Sequence, residues 1–206
     1  MKVGFWFDPL CPWAWISSQW LVQVQQVRGI EPYWDLMSQA ILYENQDLTP
    51  EQRDTVREMI KPLRVLAAAE QRYDGEAVPL LYAALGVRFH DRGLRHRLDV
   101  LPETVGDALR AAGLDPALAA AMESTEFDGR IRRSHEEAVS RVGPDAGTPV
   151  VEVDGPAGRV AFFGPVVSPA PRGEAAGRLW DGLVLIAGTP GFSELKRSRT
   201  QGPIFD

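Results

Sequence analysis

Residues Val3 to Phe7 are apolar or aromatic except for Gly4, Asp8-Pro9 stops the run, and Cys11-Pro12 follows at once. A run this short, closed by Asp-Pro, reads as a buried strand. Pro12 suits the first turn of a helix, because its missing N–H would be unpaired there anyway. The order therefore places Cys11 at or beside the N-cap of a helix that leaves a buried strand. Trp13, Ile16, Trp20, Val24 and Val27 then recur at helical spacing, Ser17, Gln19, Gln23 and Gln26 occupy other faces, and Gly29 ends the helix.

The rest of the chain alternates in character. Ile30 to Ser38 reads as a second strand, and Pro32 implies that it starts late or lies at an edge. From about residue 40 to 145 the pattern is helical. Thr49-Pro50-Glu51-Gln52 offers an N-cap, a first-turn proline and a capping-box glutamine for a helix running toward Tyr73, with Pro62 as a kink or break. Further helices are expected over Val78 to Phe89, Pro102 to Ala112, Pro116 to Glu123 and Phe127 to Val142, punctuated by Gly75, Gly93, Gly113 and Gly143. Strand character returns in Pro149 to Val153 and Arg159 to Phe163, with Asp154-Gly155-Pro156-Ala157-Gly158 reading as a hairpin turn. A last helix over Gly173 to Ala187 precedes a tail containing Lys196, Arg197 and Arg199. The expected fold is α/β: a parallel strand–helix–strand crossover, a helical insertion, then an antiparallel hairpin.

A chain of 206 residues with 45% hydrophobic residues fits one domain of ordinary size, or a small domain carrying a large insertion. The N-terminus enters the first strand without the pattern of a signal peptide, and no apolar run reaches the roughly 18 residues a membrane span needs. With a single cysteine there is no intrachain disulfide framework, so a reducing, cytoplasmic location is expected. A net charge of −6 argues against general nucleic-acid binding. Locally, Arg88, His90, Arg92, Arg95, His96 and Arg97 cluster, as either a solvated surface or a landing site for an anionic ligand or an acidic carrier protein. Whether the chain is a monomer or a homodimer stays open.

Cys11 stands in Cys11-Pro12-Trp13-Ala14, where a dithiol site would carry its second cysteine at the fourth place. A lone thiolate cannot close its own disulfide and can only form an adduct with something else. An ordinary cysteine is about 3% ionised at neutral pH, but a helix N-terminus can lower its pKa enough to leave Cys11 largely ionised. The alternative is a small buried hydrophobe. Trp13 can present a flat face to a conjugated or aromatic substrate, whereas Trp15 and Trp20 read as core. His90, His96 and His135 invite a Cys–His pair, yet read as surface or helix-packing residues, and their spacings lack a metal-ligand pattern. No metal and no tightly bound cofactor is expected, and no Gly-rich phosphate loop is present.

This order, with cysteine opening the first helix, resembles the thioredoxin fold with a helical insertion, as in DsbA-like oxidoreductases and kappa-class glutathione transferases, which include 2-hydroxychromene-2-carboxylate isomerases. Gly147-Thr148-Pro149-Val150 falls where such proteins carry a cis-proline loop facing the cysteine. More narrowly, Phe5-Trp6-Phe7-Asp8-Pro9-Leu10-Cys11-Pro12-Trp13, Glu44-Asn45, Gly147-Thr148-Pro149, Phe162-Phe163-Gly164-Pro165-Val166 and Glu194-Leu195-Lys196-Arg197 resemble the actinobacterial mycothiol-dependent nitroreductase branch. The resemblance implies a thioredoxin-fold domain over residues 1–39 and 144–206, and an inserted helical subdomain over 40–143. It implies Cys11 as the catalytic nucleophile, with Pro12, Trp13, Ala14, Asn45, Thr148 and Pro149 around the substrate. It also implies mycothiol or glutathione as co-substrate. Ala14 departs from the two-cysteine motif, so three functions are weighed. The first is a monothiol oxidoreductase whose Cys11 adduct is resolved by a small thiol. The second is a cofactor-independent cis–trans isomerase acting by reversible Cys11 addition to a conjugated polyene, free or carrier-bound. The third is a non-catalytic thiol-binding module.

Overall fold

The computed structural model describes residues 1–155 and 158–205. β1 (Lys2–Phe7) leads into α1 (Pro12–Arg28) and then β2 (Glu31–Leu36), and these two strands pair in parallel, with Lys2 opposite Glu31 and Phe7 opposite Leu36. On its other side β1 pairs antiparallel with β3 (Val150–Gly155), which pairs antiparallel with β4 (Gly158–Phe163), giving the strand order β2-β1-β3-β4. β2 is thus an edge strand, where the missing N–H of Pro32 costs no central ladder bond. Gly155 faces Gly158 across the hairpin, and residues 156 and 157 of the expected turn lie outside the described residues.

Between β2 and β3 run α2 (Gln39–Tyr43), α3 (Pro50–Met59), α4 (Lys61–Tyr73), α5 (Ala77–Gly86), α6 (Leu101–Ala111) and α7 (Asp128–Val142), and α8 (Gly173–Ala187) follows β4. The capping box forms as the sequence suggests, with Thr49 and Gln52 each bonding the other's backbone N–H. The long helix expected from Thr49 to Tyr73 divides at Ile60, and Pro62 sits in the first turn of α4, where a proline removes no helical bond. Two elements differ from expectation. Ser38, read as the end of a strand, instead caps α2 by accepting the Ile41 N–H at 3.3 Å. Pro116–Glu123 winds as 3₁₀ helix.

The alternation of β1 distributes its side chains to two cores. Val3, Phe5 and Phe7 join α1, α8 and the helices α4 to α6 in one large cluster, while Trp6 packs with Met37, Ala138 and Val150 on the opposite face. An aromatic chain ties the insertion to the sheet: Phe7 stacks on Tyr82 of α5 at 3.8 Å, and Tyr82 meets Trp15 of α1 edge-on at 5.8 Å. Trp15 is fixed in turn, its Nε1–H donating to Asp91 at 2.9 Å and its ring stacking on His90.

Gly86 lies under that fixed ring, and a Cβ there would fall 2.1 Å from a Trp15 ring atom. Gly86→Ala is therefore expected to destabilise the protein by about 1–3 kcal/mol through overpacking. Gly182→Ala in α8, where a Cβ meets nothing, should be neutral or slightly stabilising. Urea-unfolding midpoints of the two variants make the comparison.

Candidate active site

Cys11 is the N-cap of α1, with extended backbone (φ −80°, ψ 115°). Its own N–H donates to the Asp8 carbonyl at 3.0 Å, and its carbonyl accepts from Trp15 N–H at 3.0 Å, the first bond of the helix. Sγ accepts from the Ala14 N–H at 3.4 Å, one of the orphan donors of the helix start. From the other side, the thiol donates to the Thr148 carbonyl at 3.3 Å. The Thr148–Pro149 bond is cis. Strand, turn, helix start and the 147–149 loop thus bring Cys11, Pro12, Ala14, Thr148 and Pro149 to one point, with half-buried Trp13 beside them. Asn45 lies exposed beyond α2. The residue of that segment within electrostatic reach of the sulfur is Tyr43, whose hydroxyl is held above its ordinary pKa by burial first and then by the Cys11 and Asp8 charges.

The expected ionised thiolate is not the resting state. Cys11 is only 2% exposed, and burial pushes its thiol up to about 12, with the Asp8 charge adding to the rise. The Ala14 and Trp13 N–H groups and the Arg95 charge act the other way. A helix terminus contributes at most about 2 kcal/mol to a favourable charge, whereas removing an anion from water costs several kcal/mol. Burial wins, and the proton rests on sulfur facing the Thr148 carbonyl.

Asp8 joins this cluster, although in the sequence it reads only as strand-breaking punctuation. It is 0% exposed, and its carboxylate accepts the Leu10 N–H at 2.8 Å through Oδ1 and the Gln39 N–H at 2.7 Å through Oδ2. Its own N–H donates to Thr148 Oγ1 at 3.2 Å. One residue therefore joins the cysteine turn, the start of α2 and the cis-proline loop. Burial raises its carboxyl from 3.8 to about 7, although the two N–H donors pull it down. Only the all-apolar surroundings of Asp8 in the sequence hinted that its charge would need internal partners.

No histidine bonds the sulfur. His90 is buried, its Nε2–H donates to the Pro9 carbonyl at 2.9 Å, and burial lowers its pKa to about 4, so it braces the turn before Cys11 as a neutral ring. His135 accepts the Ser38 N–H through Nδ1, and exposed His96 accepts from Arg95. The basic segment does not form the single surface that its spacing suggested. Arg88 turns inward to the Ala84 and Asp107 carbonyls, His90 is buried, and Arg97 is paired with Asp99 at 2.7 Å. A π-helical turn over Val87–Asp91 and 3₁₀ turns over Leu94–His96 and Leu98–Val100 send neighbouring side chains in different directions, and this arrangement does not support docking of a carrier protein. Trp15 and Trp20 are core residues, as expected.

Comparison with known proteins adds a lineage to this geometry. The family described as Rv2466c-like, mycothiol-dependent nitroreductase Rv2466c, matches residues 10–197. The chain belongs to this family. It is also 31% identical over 205 residues to the uncharacterized protein Rv2286c of Mycobacterium tuberculosis, a match covering 98% of this chain and 84% of that one. Solved structures share the DsbA-like thioredoxin fold at lower identity. A probable DsbA oxidoreductase of Streptomyces coelicolor has TM-score 0.55 and 17% identity, covering 98% of this chain and 95% of that one. The cytosolic disulfide reductase DsbM of Pseudomonas aeruginosa, solved with GSH, has TM-score 0.56 and 15% identity over 89% and 99%. A 2-hydroxychromene-2-carboxylate isomerase has TM-score 0.56 and 16% identity over 80% and 89%. By family the chain is Rv2466c-like, and by fold it is DsbA-like. Among the described residues no helix is long and apolar enough to cross a membrane.

Asp8 gives the fold a pH signature. Between about pH 4 and pH 7 the unfolded chain releases the Asp8 proton while the folded chain keeps it, so the unfolded state binds fewer protons and stability falls as pH rises through that window. The loss amounts to at most about 4 kcal/mol and levels off above about pH 7. Asp8→Asn lacks this titration but loses one N–H acceptor. It is expected to be less stable than the wild type at pH 4, with the gap narrowing toward pH 8. Urea midpoints across that range test it, and parallel curves for the two proteins would refute the assignment.

Proposed function

We propose that the protein is a monothiol, thiol-dependent oxidoreductase: Cys11 attacks a disulfide or activated electrophile, and mycothiol or glutathione resolves the adduct. The observation that carries this is the placement of Cys11 Sγ between the Ala14 N–H and the Thr148 carbonyl, with a fully buried methyl at Ala14 where a second thiol would stand. Membership of a family described by mycothiol dependence supports the choice of co-substrate. With its one cysteine working as a free thiol beside a small thiol, the protein operates in a reducing, cytoplasmic compartment.

In the first step the substrate enters along the Thr148–Pro149 edge and replaces the Thr148 carbonyl as the neighbour of sulfur. The thiol proton leaves to solvent, and the Ala14 N–H and helix terminus hold the thiolate. Asp8, neutral below about pH 7, then adds no opposing charge. The thiolate attacks one sulfur of the disulfide, the S–S bond breaks, and the other sulfur departs with the electron pair. A small thiolate next attacks the mixed disulfide at the substrate's sulfur or at Cys11. Attack at the substrate's sulfur frees Cys11 and forms a new disulfide. Attack at Cys11 frees the substrate as a thiol, and a second small thiol then frees Cys11. Trp13 supplies a flat wall to whatever group the electrophile carries.

The same buried Ala14 favours a second reading, because reversible addition to a conjugated carbon needs one sulfur and no resolving partner. Intact-mass measurement after incubation with oxidised mycothiol or glutathione separates the two. A mixed disulfide on the wild type, absent in Cys11→Ser, is expected. Thiol-free interconversion of cis and trans conjugated enoyl compounds without any adduct would move the assignment to the isomerase, and an inert Cys11 would sink both.

Restoring the second thiol is a further check. Ala14→Cys is expected to consume its own mixed disulfide, releasing one equivalent of the small thiol by thiol titration and losing the adduct mass, while the wild-type adduct persists until a second thiol is added.

A further inference from the structure

The two edges of the sheet are guarded unequally. β2 opens on Glu31-Pro32, and a proline lacks the N–H that a neighbouring strand would bond. β4, at the other edge, runs Gly158-Arg159-Val160-Ala161-Phe162-Phe163 without a proline, and beyond Arg159 it carries no charge. Phe163 is 46% exposed, and Val160, Ala161 and Phe162 are only half-buried.

The ladder to β3 fixes which backbone groups of β4 are left over. The Gly164 N–H donates to the Pro149 carbonyl at 2.8 Å, and the next pairs are Phe163 with Val150, Phe162 with Val151, Ala161 with Glu152, Val160 with Val153 and Arg159 with Asp154. Hydrogen-bonded and non-bonded pairs alternate in an antiparallel ladder. Counting from the bonded Gly164, the non-bonded positions are Phe163, Ala161 and Arg159, which turn their own N–H and C=O groups away from β3. Among the described residues no hydrogen bond reaches those outward groups.

We infer that β4 pairs antiparallel with β4 of a second copy, about a two-fold axis at Ala161, to make one continuous sheet across a homodimer. In this register Ala161 faces Ala161 of the second copy and Arg159 faces its Phe163. Every outward N–H then meets an outward C=O, and each of these pairs exchanges both bonds. The side chains match as well: the Arg159 guanidinium comes alongside an exposed aromatic ring, Val160 meets Phe162, and the residue on the axis is small. A register centred on Arg159 would oppose like charges, and any shift along the strand leaves an outward group without its complement. This self-complementarity fits a second copy of the chain, and such an isologous contact closes at two subunits. Phe163 also lies against Gly147, where a Cβ would fall 3.5 Å from its ring, so the paired edge borders the loop that carries Thr148 and Pro149.

Sedimentation velocity of the full chain over about 1–100 μM tests the association, and a wild-type dimer is expected. Ala161→Pro removes an outward N–H and leaves the bonds to β3 in place. It is expected to keep the wild-type circular dichroism and to raise the dissociation constant at least about tenfold. Phe163→Lys and Phe163→Glu probe the register through side chains alone. The lysine sets two cations opposite each other and should weaken the dimer, whereas the glutamate sets an acid opposite Arg159 and should preserve it. The amides of Arg159, Ala161 and Phe163 should also exchange with deuterium more slowly at high protein concentration than at low. A wild type that stays monomeric, which would leave the edge to a strand of another protein, overturns the inference. So does a dimer that Ala161→Pro leaves intact, or equal dimerisation of the lysine and glutamate variants. If Ala161→Pro fails to fold, the two Phe163 variants decide the question by themselves.

Discussion

The buried Asp8 carboxyl is the constraint on which the site is assembled. Its two oxygens accept N–H groups from Leu10 and Gln39, its own N–H reaches Thr148, and its carbonyl holds the Cys11 N–H. A buried carboxyl without such donors would be strongly disfavoured, and buried backbone N–H groups without an acceptor equally so. Each need answers the other, and in doing so fixes three segments far apart in sequence to within hydrogen-bond distance. The sulfur inherits its position from this knot more than from any bond of its own.

Position and ionisation are set by different forces here. The helix start supplies direction and a donor, yet the surrounding apolar packing keeps the proton on sulfur. A cysteine held in this way is shielded while its thiol faces the Thr148 carbonyl. Such an arrangement guards a solitary thiol, which has no partner to shield it as a disulfide, from indiscriminate oxidation.

Much of the fold was legible because its signals are local. The strand–break–Cys–Pro order, the capping box at Thr49, the edge proline at position 32 and the hairpin strands depend on near neighbours, and each appears where its chemistry placed it. The thioredoxin-like scaffold and the meeting of Cys11 with Thr148 came from motif resemblance, since no spacing rule spans that separation. What stayed hidden depends on tertiary burial. Asp8 looked like punctuation because sequence does not show which polar groups a strand end will enclose. The Arg88–Arg97 segment looked like one patch because its passage from π-helical to 3₁₀ winding changes the period from which faces would be assigned. Cys11 looked ionised because the helix-terminus effect is readable in sequence and the opposing burial is not.

The stack of Phe7 on Tyr82, with Trp15 against Tyr82's edge, has a bearing on how such a protein can diversify. Because the insertion and the sheet share one aromatic core, the helical segment is not a cassette that can be exchanged while Cys11 stays in place. Replacing it would strip the wall from the strand that aims the cysteine. Variation is therefore left to segments that carry little of this core. In this architecture the cysteine and the bulk of the molecule are inherited together.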